Sequence, residues 1–322
     1  MARRTWLAAM AVGIGSMTVV ADGGLAWALT VPAPRAAAGS TMTTGGPRSP
    51  GDPGVRSNVA LVMDATLGIT LYAKHPAQVA PIASITKLMT AMVVLDAQCP
   101  LNEAIAIDRA DVDTLKHSRS RLPVGARLER GDLLRVALMA SDNRAASALA
   151  RTYPGGTAAC LEAMNRRARD LGMLSTRFKD PTGLSGGNVS SAQDLARLVL
   201  AAGGYPLIRE ATTSSFQPVT LSDGRVLEFH NSNRLVSNKS WNIGLSKTGY
   251  INEAGRCLVM QAEIAARQFV IVLLDSWGKY TRLGDANRIR KWMEQILSNP
   301  GTANDRIIPD APARVAGARS GN

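Results

Sequence analysis

The chain has 322 residues, of which 46% are hydrophobic and 4% aromatic, so it can bury a large core in one or two domains. Its formal net charge of +12 could suit nucleic acid, but the basic residues are scattered and form no nucleic-acid-binding motif. We therefore expect no nucleic-acid partner, and a basic surface that faces another acidic polymer is the better interpretation.

The N-terminus has the pattern of a secretory signal peptide. Two arginines precede an apolar segment, and Ala26-Trp27-Ala28 has the small-x-small pattern of a cleavage site. Asp22 and several glycines interrupt the apolar stretch, which argues against a retained anchor helix. We expect residues 1–28 to be cleaved after Ala28, which would leave a periplasmic protein without a stable membrane anchor.

A hairpin and a helix open the predicted folded region. Residues 29–56 are rich in Pro, Gly, Ala, Ser and Thr and predict a disordered linker. The segments NVALVMD and GITLYAK then predict two strands that form a hairpin. We expect a helix to begin near Ser84, which would place Lys87 one turn further on, where its amine can reach the serine hydroxyl.

Ser84 and Lys87 can form a nucleophile and its base. A serine hydroxyl is a weak nucleophile at neutral pH and must be activated by a base within hydrogen-bond reach. A lysine can be that base if burial and neighbouring positive charge lower its pKa. The following residues, LMTAMVVL, are apolar on nearly all faces, which predicts that this helix is buried in the middle of the protein. Taken alone, the Ser-x-x-Lys pattern is also explained by a capping serine and a surface lysine.

The middle of the chain, residues 100–204, predicts a helical lobe with its own core. Ser190 and Gln193 resemble a capping box for the last of its helices. The predicted helices span residues 132–140, 145–151 and 157–171, followed by one that runs through Leu200.

The remainder of the chain returns to strands. An antiparallel meander is predicted from four segments, VLEFHN, WNIGLSKTGY, RCLVMQAEIA and QFVIVLLDS. A helix over residues 285–297 and a disordered tail over 300–322 are predicted to follow it. We expect the hairpin and the meander to join as one antiparallel sheet, covered by the first and last helices. Residues 57–99 and 205–299 would form this sheet lobe, with the active site in the cleft beside the helical lobe.

Two further motifs follow the serine–lysine pair along the chain. They are Ser141-Asp142-Asn143, at the end of a predicted helix, and Lys247-Thr248-Gly249, inside a predicted strand. In this order the three motifs resemble the signature set of the serine penicillin-binding proteins and class A β-lactamases.

The sequence between and after the motifs resembles one group within this set of enzymes. LGMLSTRFKDPTGLSGGNVSSAQDLA is similar to a segment of low-molecular-mass penicillin-binding proteins, the D-alanyl-D-alanine carboxypeptidases and endopeptidases. WNIGLSKTGYINEAGRCLVM and LLDSWGKYTR resemble the penicillin-binding protein seven type, a murein DD-endopeptidase. The resemblance implies a β-lactamase/transpeptidase-like fold of the α/β class, in which a five-stranded antiparallel sheet is flanked by helices beside an all-helical lobe.

The resemblance also implies a hydrolytic mechanism on the stem peptides of peptidoglycan, with β-lactam antibiotics as covalent inhibitors. Ser84 would attack the carbonyl of the penultimate D-alanine, and Lys87 would take its proton. Ser141 would relay a proton to the leaving amine, while Asn143 holds the acyl donor and Lys87. No metal or other cofactor is implied.

The third motif would bind the substrate. By the same resemblance, Lys247 would supply positive charge for the substrate carboxylate and help to depress the pKa of Lys87, and Thr248 would hydrogen-bond that carboxylate. Gly249 would let the substrate lie along the strand edge. The backbone N–H groups of Ser84 and Tyr250 would form the oxyanion hole.

Several alternatives stay open. A class A β-lactamase needs a glutamate for deacylation, and the only nearby imitation, Glu162 with Asn165, has the wrong spacing. A non-catalytic penicillin-binding scaffold and a carboxypeptidase are the others. Typical carboxypeptidases of this family carry a further β-rich domain, whereas this chain ends about 70 residues after Gly249, which favours the endopeptidase.

Other single residues are interpreted as structural. Asp142 is one of them, and Cys257 is interpreted as a small core residue. His230 and Asn233 could line the cleft or lie at the surface. With only three cysteines and three histidines, one cysteine at least is unpaired in a monomer, and a Ser-His-Asp triad or a zinc site is poorly supported.

Overall fold

The computed structural model describes residues 51–221 and 223–298. The predicted signal peptide, most of the predicted linker and the predicted tail lie outside these residues. The strands are β1 Val59–Asp64, β2 Thr70–Lys74, β3 Ala80–Pro81, β4 Ala104–Ala106, β5 Arg127–Glu129, β6 Val189–Ser190, β7 Phe216–Thr220, β8 Val226–His230, β9 Asn242–Ile251, β10 Gly255–Ile264 and β11 Arg267–Ser276. The helices are α1 Thr86–Asp96, α2 Arg130–Met139, α3 Asn143–Arg151, α4 Gly156–Asp170, α5 Ala192–Ala202, α6 Pro206–Thr213 and α7 Thr281–Ser298.

A five-stranded antiparallel sheet organises the fold, as expected. Its strand order is β2-β1-β11-β10-β9, so the early hairpin joins the late meander through the pairing of β1 with β11. Alternate residues of β10 point to opposite faces: Leu258 and Met260 pack in the cluster with α7, whereas Cys257 and Val259 pack in the larger cluster with the other helices. Strand β9, which carries the Lys247-Thr248-Gly249 motif, lies at one edge of the sheet.

The last helix covers the sheet as predicted, but the first does not. Helix α7 packs against β10 and β11, whereas α5 packs against β1, β10 and β11 on the other side. Helix α1 is surrounded by α2, α3, α4 and α5, and all its residues from Thr86 to Val94 are buried. Because α1 is apolar on all its faces, it must be packed against other elements on every side.

Two local predictions are wrong. VLEFHN does not join the main sheet, because β8 pairs with β7 in a separate two-stranded ribbon. The cap of α5 is Ser191 rather than Ser190: the Ser191 side chain accepts a hydrogen bond from the Asp194 amide. The lobe boundaries themselves stay predictions.

Within the described residues the cysteines are free and no helix is both long and apolar enough to cross a membrane. Cys257 is buried in β10, and burial raises the pKa of its thiol to about 11. A thiol with so high a pKa is a poor nucleophile, in agreement with the interpretation of Cys257 as a core residue.

A buried carboxylate ties α7 to the start of β1. Asp285 is fully buried and accepts hydrogen bonds from the amides of Arg56, at 2.9 Å, and Ser57, at 2.8 Å. The Ser57 hydroxyl also donates to it, and Arg288 pairs with it one turn later on the helix. These contacts hold the ends of the described chain together.

We expect Asp285→Ala to lower the free energy of unfolding by roughly 3–5 kcal/mol, because it leaves buried donors and a guanidinium without their partner. Glu294→Ala, on the same helix, removes only an exposed pair with Arg290 and should change stability by less than about 1 kcal/mol. Urea unfolding of both variants checks this, and equal losses would contradict the assignment.

Candidate active site

The turn that carries Ser84 is strained and tightly packed. A 3₁₀ turn, Ala83–Ile85, precedes α1, and Ala83 has a φ of +48°, in the left-handed region that side chains disfavour. Two glycines approach this turn from different segments. A Cβ on Gly183 would lie 2.0 Å from the Ala83 carbonyl oxygen, and one on Gly249 would lie 3.1 Å from the Ser84 nitrogen.

Gly249 therefore has a structural role in addition to the one expected. A side chain there would meet the backbone of Ile82 and Ser84 rather than only a substrate along the strand edge. The absence of a Cβ allows β9 to lie directly against the backbone of the nucleophile's turn.

Lys87 lies at the centre of the predicted site. Its Nζ is 2.9 Å from Ser84 Oγ, 2.7 Å from Asn143 Oδ1 and 2.6 Å from the carbonyl oxygen of Thr182. The side chain is 1% exposed. A neutral amine can donate one N–H to Asn143 and one to Thr182, which leaves its lone pair for the Ser84 hydroxyl.

Burial lowers the pKa of Lys87 to about 8, although the carboxylates of Asp180, Asp142 and Asp113 act in the opposite direction. The sequence-based expectation assigned part of this lowering to Lys247. The pKa of Lys247 is also well below its ordinary value, through burial first and then through repulsion from Lys87 and Arg282. Repulsion between two ammonium groups is mutual, so this contact agrees with the expectation that Lys247 helps to depress the pKa of Lys87.

The second motif connects α2 to α3. Asp142 caps α3, because its carboxylate accepts a hydrogen bond from the Ala145 amide at 3.0 Å, which agrees with a structural interpretation. Asn143 contacts Lys87 through Oδ1, and its Nδ2 donates to Ser118 Oγ at 2.7 Å. Ser141 has a φ of +62° and is half-buried, and its hydroxyl has no hydrogen-bond partner among residues 51–221 and 223–298.

The third motif runs along β9. Lys247 is 1% exposed and donates to the carbonyl oxygen of Thr248 at 3.0 Å. The Thr248 hydroxyl donates to Ser232 Oγ at 2.7 Å. Tyr250 is 52% exposed, and its backbone follows Gly249, which lies against the Ser84 amide.

The two residues considered for the cleft make their contacts elsewhere. His230 is exposed and packs its ring near Phe216, with centroids 5.2 Å apart. Asn233 is buried and caps the short 3₁₀ turn Arg234–Ser237. Ser232, between them, is the residue that contacts the third motif.

Sequence reasoning missed the loop that presents the Thr182 carbonyl. Asp180 accepts hydrogen bonds from the amides of Thr182 and Gly183, both at 2.7 Å, and of Ser185 at 2.9 Å. Asn188 donates to the Asp180 carbonyl oxygen and to Thr86 Oγ1, which fixes the loop to the start of α1. The signal was the Asp-Pro-Thr-Gly turn sequence within the segment quoted for the family resemblance.

The β-lactamase alternative loses support. Glu162 is exposed on α4, where its side chain faces solvent rather than the buried Lys87. Asn165 has a structural role, because its side-chain amide donates to the carbonyl oxygens of Leu161 and Phe178. This pair of residues is therefore not placed to activate a deacylating water at Ser84.

A serine and a buried lysine, set between an antiparallel sheet and a group of helices, are typical of the serine enzymes of the β-lactamase/transpeptidase-like fold, which include the DD-peptidases. The sequence matches the D-alanyl-D-alanine carboxypeptidase family over residues 47–277, and the chain belongs to that family. The expected family, fold class and hydrolase activity on D-alanyl-D-alanine peptides are thereby confirmed.

Relatives and solved structures agree with this assignment. The chain is 48% identical over 250 residues to a D-alanyl-D-alanine endopeptidase of Pseudomonas aeruginosa, covering 77% of this chain and 81% of that protein. It is 45% identical over 283 residues to one of Escherichia coli, covering 87% and 90%. The crystal structure of the Streptomyces K15 DD-transpeptidase superposes with a TM-score of 0.70 at 27% identity, covering 75% of this chain and 98% of that one.

We expect Gly183→Ala to slow acylation by penicillin roughly 100-fold, because the new methyl group would displace the turn that holds Ser84. Gly172→Ala is the matched control: it has a similar positive φ, +69°, but no atom within 4 Å of the added carbon. Gly172→Ala should lose roughly 1–2 kcal/mol of stability from its positive φ alone, and Gly183→Ala should lose more because of the backbone clash, but only Gly183→Ala should lose acylation. Equal acylation rates, measured with a fluorescent penicillin, would contradict the role of Gly183.

The pKa of Lys87 predicts the pH dependence of acylation. Its neutral form takes the proton of Ser84, so the rate should rise about tenfold per pH unit below the pKa of about 8 and level off above it. Asn143→Asp would place a carboxylate against the amine, raise the pKa of Lys87 and move the midpoint to higher pH. Stopped-flow acylation between about pH 5.5 and 9.5 tests this, and a rate that is constant from about pH 6 to 9 is the opposing result.

Proposed function

We propose that this chain is a periplasmic DD-endopeptidase that hydrolyses D-alanyl-meso-diaminopimelyl cross-links in peptidoglycan through an acyl-enzyme on Ser84. The observation that carries the proposal is the contact of the buried Lys87 Nζ with Ser84 Oγ at 2.9 Å. The names of the Pseudomonas and Escherichia relatives support the endopeptidase assignment, and the signal-peptide pattern supports export.

The proposed reaction begins with acylation. Ser84 Oγ attacks the carbonyl carbon of the donor D-alanine as its proton passes to Lys87 Nζ. The carbonyl oxygen becomes an oxyanion, which would accept hydrogen bonds from the backbone N–H groups of Ser84 and Tyr250. The close approach of Gly249 to the Ser84 nitrogen supports this pairing of donors.

Collapse of the tetrahedral intermediate breaks the C–N bond. The leaving amine needs a proton, which Lys87 would return through the Ser141 hydroxyl. A water molecule, deprotonated by the again neutral Lys87, then hydrolyses the ester and frees Ser84. The two acceptors at Asn143 and Thr182 would keep the amine oriented through both half-reactions.

Substrate binding is assigned to the third motif. Lys247 and Thr248 would recognise the carboxylate beside the scissile bond, Lys247 by its charge and Thr248 by its hydroxyl. A β-lactam presents a strained amide and a carboxylate in the same arrangement. We therefore propose that penicillin acylates Ser84 and that the adduct deacylates slowly.

A carboxypeptidase is the second candidate, because a D-alanyl-D-alanine carboxypeptidase of Mycobacterium tuberculosis has a similar structure, with a TM-score of 0.67 at 27% identity. Both activities share the acyl-enzyme and differ in the leaving group. A carboxypeptidase releases free D-alanine, whereas an endopeptidase releases the D-amino centre of a diaminoacid in a second stem peptide.

Purified cross-linked muropeptide dimers and pentapeptide monomers distinguish the two activities. We expect the enzyme to convert dimers to monomers faster than it releases D-alanine from pentapeptides, as followed by liquid chromatography. Ser84→Ala should do neither, and Lys87→Ala should lose most of both activities while it stays folded. Release of D-alanine alone, with dimers persisting, would establish the carboxypeptidase.

A further inference from the structure

A cavity of about 380 Å³ lies at the ends of β9, β10 and β11, directly beyond the third motif. Tyr250, the residue after Gly249, forms part of its wall, so the cavity begins one residue from the backbone that approaches Ser84. Its volume falls within the roughly 300–1,000 Å³ that is typical of ligand sites. The mechanism proposed above makes no use of it.

Aromatic groups are concentrated around this cavity, although the chain has only 4% aromatic residues. Trp277 is 81% exposed, Tyr250 is 52% exposed, and Tyr280, beside the cavity, is 54% exposed. Trp277 and Tyr280 come from LLDSWGKYTR, one of the two segments that resemble the penicillin-binding protein seven type. Exposed aromatic groups collected in one place are typical of a binding site.

Two cations border the cavity. The Arg256 guanidinium lies 4.5 Å from the centre of the Tyr250 ring, and the Lys279 ammonium lies 5.6 Å from that of Tyr280. Neither forms an ion pair within the described parts of the chain. The carboxylate in the wall, Asp275, accepts a hydrogen bond from Asn58 Nδ2 at 2.7 Å.

We propose that this cavity is a subsite that binds a free carboxylate of a stem peptide at a distance from the scissile bond, an inference that rests on the proposed peptidoglycan substrate. Arg256 and Lys279 bind the carboxylate, and Trp277 packs against the aliphatic part of the same peptide. The two cations outnumber the one carboxylate, Asp275, in the wall, so the net charge there is positive and favours an anion. Stem peptides carry free carboxylates on both sides of the cross-link, so the donor and the leaving peptide are the two sources of this group.

The test measures KM and kcat separately for variants of exposed residues that are not part of the catalytic machinery. Trp277→Ala and Lys279→Glu should each raise KM for the muropeptide dimer roughly three- to tenfold with little change in kcat. Lys279→Arg should keep the KM of the wild type. Acylation by benzylpenicillin, which has no stem peptide, should be unchanged in all three.

The matched controls are Phe216→Ala, which removes another exposed aromatic group, and Lys239→Glu, which reverses another exposed cation. Neither should change KM.

The substrates that respond identify the source of the carboxylate. A higher KM of the Trp277→Ala and Lys279→Glu variants for dimers and pentapeptides alike supports the donor peptide, and a higher KM for dimers only supports the leaving peptide. The proposal is overturned if KM is unchanged for every substrate that the wild type hydrolyses, or if the controls shift KM equally. If dimers are not cleaved, the endopeptidase proposal fails, and the KM for pentapeptide still decides the subsite.

Discussion

Burial of the Lys87 amine is the constraint on which the rest of the site depends. An amine removed from water loses its hydration and must find hydrogen-bond partners within the protein. Three segments supply them: the turn before α1 through Ser84, the start of α3 through Asn143, and the loop after α4 through the carbonyl of Thr182. Because burial disfavours the ammonium, the same environment that holds the side chain also lowers its pKa and makes it a base.

The partners of Lys87 are held by backbone that is strained or closely packed. Ala83 and Ser141 both have positive φ angles, which residues other than glycine adopt only when the surrounding structure imposes them. Gly183 and Gly249 allow two separate segments to lie against the Ser84 turn. Asp180 and Asn188 in turn fix the loop that contains Gly183. The position of the nucleophile is thus set by packing from both sides rather than by α1 alone.

Helical spacing is local, so it predicted the Ser84–Lys87 pair, whereas the second and third motifs were assigned through the family resemblance. Ser84 and Lys87 are three residues apart, so a helix start brings them together whatever the rest of the fold does. Thr182 could not be found in the same way, because it contributes a backbone carbonyl, which leaves no side-chain signature. Ser118 and Ser232 are single serines whose contacts with Asn143 and Thr248 exist only in the folded chain.

The fold could also be predicted only in part. Periodicity predicts the strands and helices, but it does not say which element covers another. It therefore predicted α1 on the sheet, where α5 lies, and it put β8 in the wrong sheet.

The central claim, that Lys87 is a base with a lowered pKa, can be measured directly on the free enzyme. Protein labelled with ¹³C at the lysine Cε positions should show one resonance that titrates near pH 8 and is missing in Lys87→Arg. A Lys87 resonance that titrates at about pH 10.4, the value of a lysine side chain in a model peptide, would contradict the account.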